Sequence, residues 1–254
     1  RYFLLNNRGA IAPGYLGDFV IIDNFNDFNI EMVFKRGELM YDGQLRDFPT
    51  PEIDPYLVKR AHDTFHLAKL TAEDFKDGRP HAIIGLVPGE IISEDAGYID
   101  HIDVEYDILK VAVIERHKNT HHIGLGYIKG YGLKSGAVAT SISHDSHNII
   151  VVGTNEEEMA AAANRIVENH GGITVMENGN VLGEVTLAIA GIMSDDPLVM
   201  VNSALESAKD EAFRLGVSRD IDPFMTLSFM ALPVIPTLRI TTRGVFDVNT
   251  QRYI

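Results

Sequence analysis

The chain has 254 residues and a formal net charge of −14, with 45% apolar and 23% charged residues. Both fractions are typical of a globular protein, and the length suffices for one large domain or two modest ones. The negative charge argues against nucleic acid and anionic membranes as partners, because both would repel the chain. No apolar run reaches the roughly 18 residues needed to cross a bilayer. The chain contains no cysteine, which excludes disulfides and thiolate metal sites and favours a cytoplasmic location.

The first part of the chain is predicted to form a small unit of short strands at residues 1–45. β-Branched and aromatic residues occur in 17–24 and 30–43, and Arg36-Gly37 marks a turn between two strands. The prolines that follow predict a linker at 46–56.

Residues 57–254 are predicted to form a second, larger domain. A helical region is expected within 55–76, where Thr71 and Asp74 have the spacing of a capping box. Runs rich in β-branched residues predict strands at 81–95, 107–117, 136–143 and 148–153, and a hairpin at 173–187. Asn178-Gly179 is expected at the hairpin turn.

Two long helices are predicted in the same domain. The first spans 154–172, capped by Thr154 or Asn155 and ended by Gly171-Gly172. The second spans 195–216, and its apolar residues at helical spacing predict one buried face: Leu198, Val201, Leu205, Ala208, Ala212 and Leu215. Strands and helices do not alternate regularly, so we expect a layered α+β domain with a mostly antiparallel sheet.

The last part of the chain, 222–248, is an apolar run interrupted by prolines. Its segment 227–240 has two open interpretations: a core strand, or a surface that buries against a neighbouring subunit. The glycine-rich stretch 117–137 lacks a complete phosphate-loop pattern. We expect it to be a flexible wall beside the site described next, with glycines that bend or approach another surface.

The candidate site is the polar turn, SHDSHN, at residues 143–148 between two predicted strands. His144, Asp145 and His147 can accept, donate or transfer protons. Ser143, Ser146 and Asn148 can orient those groups. A structural interpretation stays open, in which the turn satisfies its own backbone amides.

Two histidine pairs raise the question of a metal site. His144 and His147 are three residues apart, but no other cluster completes a ligand set. His62 and His66 have the spacing of two ligands on a helix, yet Asp63 and Thr64 lie where a metalloprotease motif needs glutamate. A solvated helix face is the preferred interpretation of this second pair.

Beyond these patterns, three further segments are distinctive: the stretch from GYGLKSGAVATSISHDSHNIIVVG to VMENGNV, the stretch LAIAGIMSDDP, and the stretch FMTLSFMALPVIPTLRITTRGVFDV. Together they closely resemble the C-terminal region of bacterial adenine deaminases of the amidohydrolase superfamily. The opening GAIAPGYLGDFVII and VFKRGELMYDG are similar to the last strands of the small β-sandwich that flanks the barrel in that superfamily.

The resemblance implies a hydrolase of purine salvage that converts adenine and water to hypoxanthine and ammonia at a binuclear manganese or iron centre. In the family the metal ligands lie on a barrel and include an H-x-H motif, which this sequence lacks. We therefore expect the N-terminal metal-binding barrel portion to be a partner of this chain, no metal on the chain itself, and no activity from it alone.

The resemblance also gives the polar turn an expected place at the mouth of that barrel. His144 and Asp145 are the expected catalytic residues, and Ser143, Ser146, His147 and Asn148 are expected to contact the purine or to hold the turn in place. A homo-oligomer is expected. The alternative function is a structural or oligomerisation module without a catalytic residue, and a free-standing metal hydrolase built on His144 and His147 is disfavoured.

Overall fold

The structure, a computed structural model, describes residues 5–47 and 51–254. Residues 1–4, at the start of the predicted first unit, and 48–50, within the predicted linker, lie outside the described residues. The chain divides into two compact units, Arg1–Ile53 and Asp54–Ile254.

The first unit contains a three-stranded antiparallel sheet. Its strands follow chain order: β1 (Phe19–Ile22), β2 (Ile30–Lys35) and β3 (Glu38–Tyr41). Arg36 and Gly37 both have positive φ, at 53° and 82°, which is the geometry that a tight turn between β2 and β3 requires. The strands and the turn predicted for this region are thus confirmed.

The second unit is built around an eight-stranded sheet. Its strands are β4 (His81–Leu86), β5 (Ser93–Ile99), β6 (Ile108–Ile114), β7 (Ile123–Lys129), β8 (Ala137–Thr140), β9 (Ile149–Gly153), β10 (Gly172–Glu177) and β11 (Asn180–Thr186). Their spatial order is β11-β10-β8-β9-β6-β7-β4-β5, and only β4 and β7 pair in parallel. The mostly antiparallel sheet of the predicted α+β fold is confirmed.

Helices and a small hairpin cover both faces of this sheet. The remaining elements are α1 (Pro55–His62), a 3₁₀ helix (Ala72–Phe75), α2 (Glu156–Glu168), α3 (Leu198–Arg214), α4 (Pro223–Met230), β12 (Leu238–Thr241), β13 (Gly244–Asp247) and β14 (Arg252–Tyr253). One core joins α2 and the 3₁₀ helix to one face, and a second core joins α3, α4 and the β12–β13 hairpin to the other. Alternate residues of β6 enter the two cores, as the period of a strand requires.

Local signals in the sequence explain several element ends. The Asn155 side chain accepts a hydrogen bond from the backbone N–H of Glu158 at 2.8 Å and so caps α2. Thr71 and Asp74 form the predicted capping box at the 3₁₀ helix. Asn178 and Gly179, both with positive φ, lie at the turn of the β10–β11 hairpin.

The predicted buried face of α3 is wrong in its first half. Ala208, Ala212 and Leu215 are buried as expected, but Leu198 is 81% exposed. Val201 and Leu205 are only partly buried. The reason is that α3 packs on β11 through its second half, where Gly183 lets the helix backbone approach the strand closely at Ala208.

The core-strand interpretation of 227–240 is wrong for the first part of the run, which is helix α4, but it is right for the end of the run, where Leu238–Thr241 form strand β12. Pro223 occupies the first helical turn and Asp222 caps it, a sequence signal for a helix start that the apolar composition obscured. Seven residues of the run are buried: Leu227, Ser228, Met230, Ala231, Leu238, Arg239 and Ile240. Both ends of the run therefore lie in the core of this unit, whereas Val234 between them is 70% exposed.

The predicted flexible wall at 117–137 instead contains strand β7, in the middle of the sheet. Its glycines do approach another surface. A Cβ added to Gly124 would lie 1.9 Å from the carbonyl oxygen of Thr241, and one added to Gly126 would lie 2.7 Å from Val245. Both glycines are needed for the β12–β13 hairpin to pack on β7.

Across the described ranges, none of the helices has the length and apolar character that a membrane span requires.

Candidate functional site

The polar turn, residues 143–148, connects β8 to β9, which are antiparallel neighbours near the middle of the sheet. The backbone N–H of His147 donates to the carbonyl oxygen of Ser143 at 2.6 Å and closes the turn. His147 has a φ of 49°, in the left-handed region that non-glycine residues adopt at some cost. The turn is therefore a defined structure held between two rigid strands.

Four side chains of the polar turn line a cleft of about 310 Å³. We call it the turn cleft, and its lining residues are His144, Asp145, Ser146, Asn148, Ala231, Leu232, Pro233, Val234, Thr241 and Thr242. The volume is at the lower end of the range of small-molecule sites. The structure thus brings both expected catalytic residues, with Ser146 and Asn148, to one surface, while Ser143 and His147 do not line it.

Helix α4 supports the His144 side of the cleft. The imidazole of His144 packs on the ring of Phe229, with 4.9 Å between ring centroids. The backbone N–H of His144 also donates to the carbonyl oxygen of Ser228 at 3.3 Å. Sequence reasoning missed Ser228 and Phe229, since recognising them required α4 to be predicted first.

Several polar atoms in and beside the turn are buried and have no hydrogen-bonding partner among the described residues. They are Ser143 Oγ, His147 Nδ1, Asn148 Oδ1 and Ser228 Oγ. Leaving such an atom unsatisfied typically costs about 1–3 kcal/mol. These atoms are free to form hydrogen bonds with a ligand or an ordered water.

The His147 ring lies in an environment that disfavours its charged form. Burial lowers the pKa of His147 below its usual 6.5, and the positive charges at Arg116 and, when protonated, His144 lower it further. Asp145 acts in the opposite direction but with less effect. His147 is therefore neutral at pH 7 and can offer one donor and one acceptor nitrogen.

The structure offers no metal cage in the part of the chain that it describes. No group of three or more histidine, aspartate or glutamate side chains there is arranged to hold a metal ion. Helix α1 ends at His62, so His66 is not on the helix, and the expected helical spacing of this pair is wrong. His66 is exposed and His62 is half-buried.

Comparison with known proteins identifies the family of this chain. The family model described as "Adenine deaminase C-terminal domain" matches residues 90–252, which include the polar turn, the turn cleft and α4. The chain is 40% identical to the adenine deaminase of Dehalococcoides mccartyi, over 100% of this chain and 46% of that protein.

Two further relatives give the same result. The adenine deaminase of Petrotoga mobilis is 40% identical and that of Bacillus subtilis 38%, each over 98% of this chain and 45% of the relative. The chain thus spans somewhat less than half the length of the curated relatives that it matches. It belongs to the adenine deaminase C-terminal domain family.

Proposed function

We propose that this chain is the C-terminal part of an adenine deaminase and that its polar turn closes over the purine. The observation that carries the proposal is the turn cleft, where His144 and Asp145 meet at one surface in a chain whose relatives are named adenine deaminase. The reaction is the hydrolysis of adenine: water adds at C6, its oxygen becomes the carbonyl of hypoxanthine, and the amino group leaves as ammonia.

Each side chain of the turn has a task in this proposal. His144 carries a proton to the leaving amino group, a step for which imidazole is suited near neutral pH. Asp145 accepts a hydrogen bond from an N–H of the purine. Ser146 and Asn148 contact the purine edge, and Ser143 and His147 hold the turn in place through their backbone hydrogen bond.

The binuclear manganese or iron centre that the resemblance implies does not fit this chain. The described residues contain no group of three or more candidate ligands, and the sequence contains no H-x-H motif. We therefore place the metals on the N-terminal portion that the relatives carry, and assign to this chain only purine contacts and proton handling.

A test requires both portions. We define the fusion as this chain joined to the N-terminal portion of the Bacillus subtilis relative, and the readout is ammonia released from adenine, with and without added manganese. We expect ammonia from the fusion and none from either portion alone. A folded but inactive fusion, activity of this chain alone, or full activity of the N-terminal portion alone would contradict the proposal.

A second candidate is an oligomerisation module, a role that requires no catalytic residue. It is favoured by the first turn of α3, where Leu198, Val199 and Met200 are 81%, 80% and 60% exposed. Three consecutive exposed apolar residues are unusual unless they have a function. Sedimentation of the chain and of its Val199→Glu variant tests this: an oligomer that dissociates on substitution supports an interface between copies there, and a monomer excludes it.

A further inference from the structure

Arg116, just beyond the end of β6, is 1% exposed although its side chain carries a positive charge. Among the described residues, its guanidinium donates to oxygens of three separate segments. These acceptors are the carbonyl oxygen of His147 at 2.5 Å, the carbonyl and hydroxyl oxygens of Thr64 at 2.9 and 3.3 Å, and the carbonyl oxygen of Ala190 at 2.9 Å. Arg116 thus connects the polar turn to two other loops.

The register of the sheet explains why Arg116 reaches the turn. β6 and β9 are antiparallel, and Ile114 is paired with Ile149 at the end of the ladder. Continuing this register places Arg116 opposite His147 and His117 opposite Ser146. The His117 ring indeed donates to the carbonyl oxygen of Ser146 at 2.9 Å. Beyond the last backbone pair of the ladder, the side chains of Arg116 and His117 therefore each donate a hydrogen bond to a carbonyl oxygen of the turn.

The surroundings of Arg116 are shaped for a guanidinium. Its plane packs on Phe65 at 4.1 Å from the ring centroid, a favourable cation–π contact. A Cβ added to Gly191 would lie 2.7 Å from Nη2 of Arg116, so the loop can approach only as glycine. A lysine ammonium lacks the planar fork that serves three segments at once.

Burying the charged guanidinium of Arg116 costs free energy. Arg116 has no carboxylate within ion-pair distance among the described residues, and burial lowers its pKa to about 10, which still leaves it charged at pH 7. Burying a charge without an ionic partner costs several kcal/mol unless hydrogen bonds offset it. Its acceptors offset that cost only while the turn keeps its present shape.

We propose that Arg116, together with His117, is a positioning residue that fixes the polar turn so that His144 and Asp145 face the purine. The inference rests on the proposed function for its kinetic consequence. Its structural part, that Arg116 holds the turn, can be tested without any activity.

The structural test uses NMR spectroscopy of the isotope-labelled chain and its Arg116→Met and Arg116→Lys variants. We expect amide signals of residues 143–148 to shift in the methionine variant while those of the distant β10–β11 hairpin do not. Loss of the Arg116 charge should also raise the pKa of the His147 imidazole towards 6.5, as followed by its titration. The lysine variant keeps a positive charge, so the pKa of His147 should stay lowered as in the parent. Its amide signals for residues 143–148 should still shift, because lysine cannot form the same hydrogen bonds.

The kinetic test uses the fusion, with Arg239 as a matched control. Arg239 is also fully buried, has a pKa lowered by burial to about 10, and donates to the carbonyl oxygens of Ile91, Pro236 and Leu238, none of which lines the turn cleft. Displacing reacting groups by about 1 Å costs on the order of 10²-fold in rate. We expect Arg116→Met to lower kcat by that factor with little change in KM, Arg116→Lys to be intermediate, and Arg239→Met to stay near the parent.

The outcomes distinguish the positioning role of Arg116 from the proposed function. Unshifted turn signals and an unchanged His147 pKa in Arg116→Met would overturn the positioning role, whatever the fusion does. Equal losses of kcat in the two methionine variants would also overturn it, because both would then report lost stability alone. An inactive parent fusion with shifted turn signals would contradict the proposed function and leave Arg116 as the residue that holds the turn.

Discussion

His144 and Asp145 are adjacent in the chain, yet their surroundings restrict the movement of the two side chains to different degrees. The His144 ring is half-buried against Phe229, whereas Asp145 is exposed at the rim of the turn cleft. A ring held by an aromatic neighbour has a fixed direction, which a proton donor requires. An exposed carboxylate can adjust to a substrate that arrives.

The proton-transfer role that we propose for His144 predicts a large effect of its removal. His144→Ala in the fusion should lower kcat by about 10²- to 10⁴-fold, the usual contribution of general acid–base catalysis. Metal content should not change, since the described residues of this chain offer no metal cage. The control is His101→Ala, at an exposed histidine that does not line the cleft. Steady-state kinetics with unchanged kcat for His144→Ala would contradict the role.

The cradle around Arg116 predicts an unusual sensitivity at Gly191. Gly191→Ala places a Cβ against the guanidinium and Phe65 at a φ of 76°. The left-handed backbone alone costs roughly 1–2 kcal/mol, and overpacking adds about 1–3 kcal/mol. Gly89→Ala is the matched control, because Gly89 has a φ of 75° and nothing within 4 Å of the added Cβ. Urea denaturation should show a clearly larger loss for Gly191→Ala, and equal losses would contradict the tight packing at Arg116.

At the scale of single elements, a helix or hairpin can be predicted from the sequence when its own residues carry a capping or turn signal. The α2 helix and the β10–β11 hairpin were predictable because Asn155 and Asn178-Gly179 act on neighbouring residues. Helix α4 was missed because all its faces are apolar, so it has no helical period to detect. The residues around the polar turn that only the fold reveals, Arg116 and Phe229, depend on sheet register and helix packing, which no local pattern encodes.

Asp222 caps the start of helix α4, and its carboxylate makes the stability of the fold depend on pH. Its oxygen accepts hydrogen bonds from the backbone N–H groups of Phe224 and Met225 at 3.0 and 2.9 Å, and Lys209 pairs with it at 3.0 Å. Burial raises the pKa of Asp222, but these hydrogen bonds and Lys209 lower it more, so the net shift is downward. A lowered pKa in the folded state means that the charged form stabilises the fold.

Asp222→Asn should therefore destabilise the chain at neutral pH, by a few tenths to about 1 kcal/mol because the group is partly exposed. The difference from the parent should be complete above the ordinary value of 3.8 and shrink as pH falls through the lower folded-state pKa. Urea denaturation of both proteins between pH 7 and pH 3 measures it. The exposed Asp210→Asn on α3 is the control, and a difference that grows on acidification would contradict the assigned direction.

At the scale of the whole molecule, the charge and the composition of the chain restrict its partners without naming one. The net charge of −14 does not oppose a small neutral purine, although it opposes a polyanion. The polar turn could be singled out from the sequence because its proton-handling residues are contiguous. Its cleft could not, because Ala231–Val234 and Thr241–Thr242 come from elements far along the chain.

Contact between the polar turn and the purine can be measured by photolabelling of the fusion with 8-azidoadenine. Trypsin cleavage after Lys134 and Arg165 leaves the turn in peptide 135–165, and cleavage after Arg219 and Arg239 leaves α4 in peptide 220–239. We expect label in peptide 135–165, with further label in 220–239, both suppressed by excess adenine. Adenine-protected label confined to the N-terminal portion, or to peptides of this chain away from the turn cleft, would contradict it.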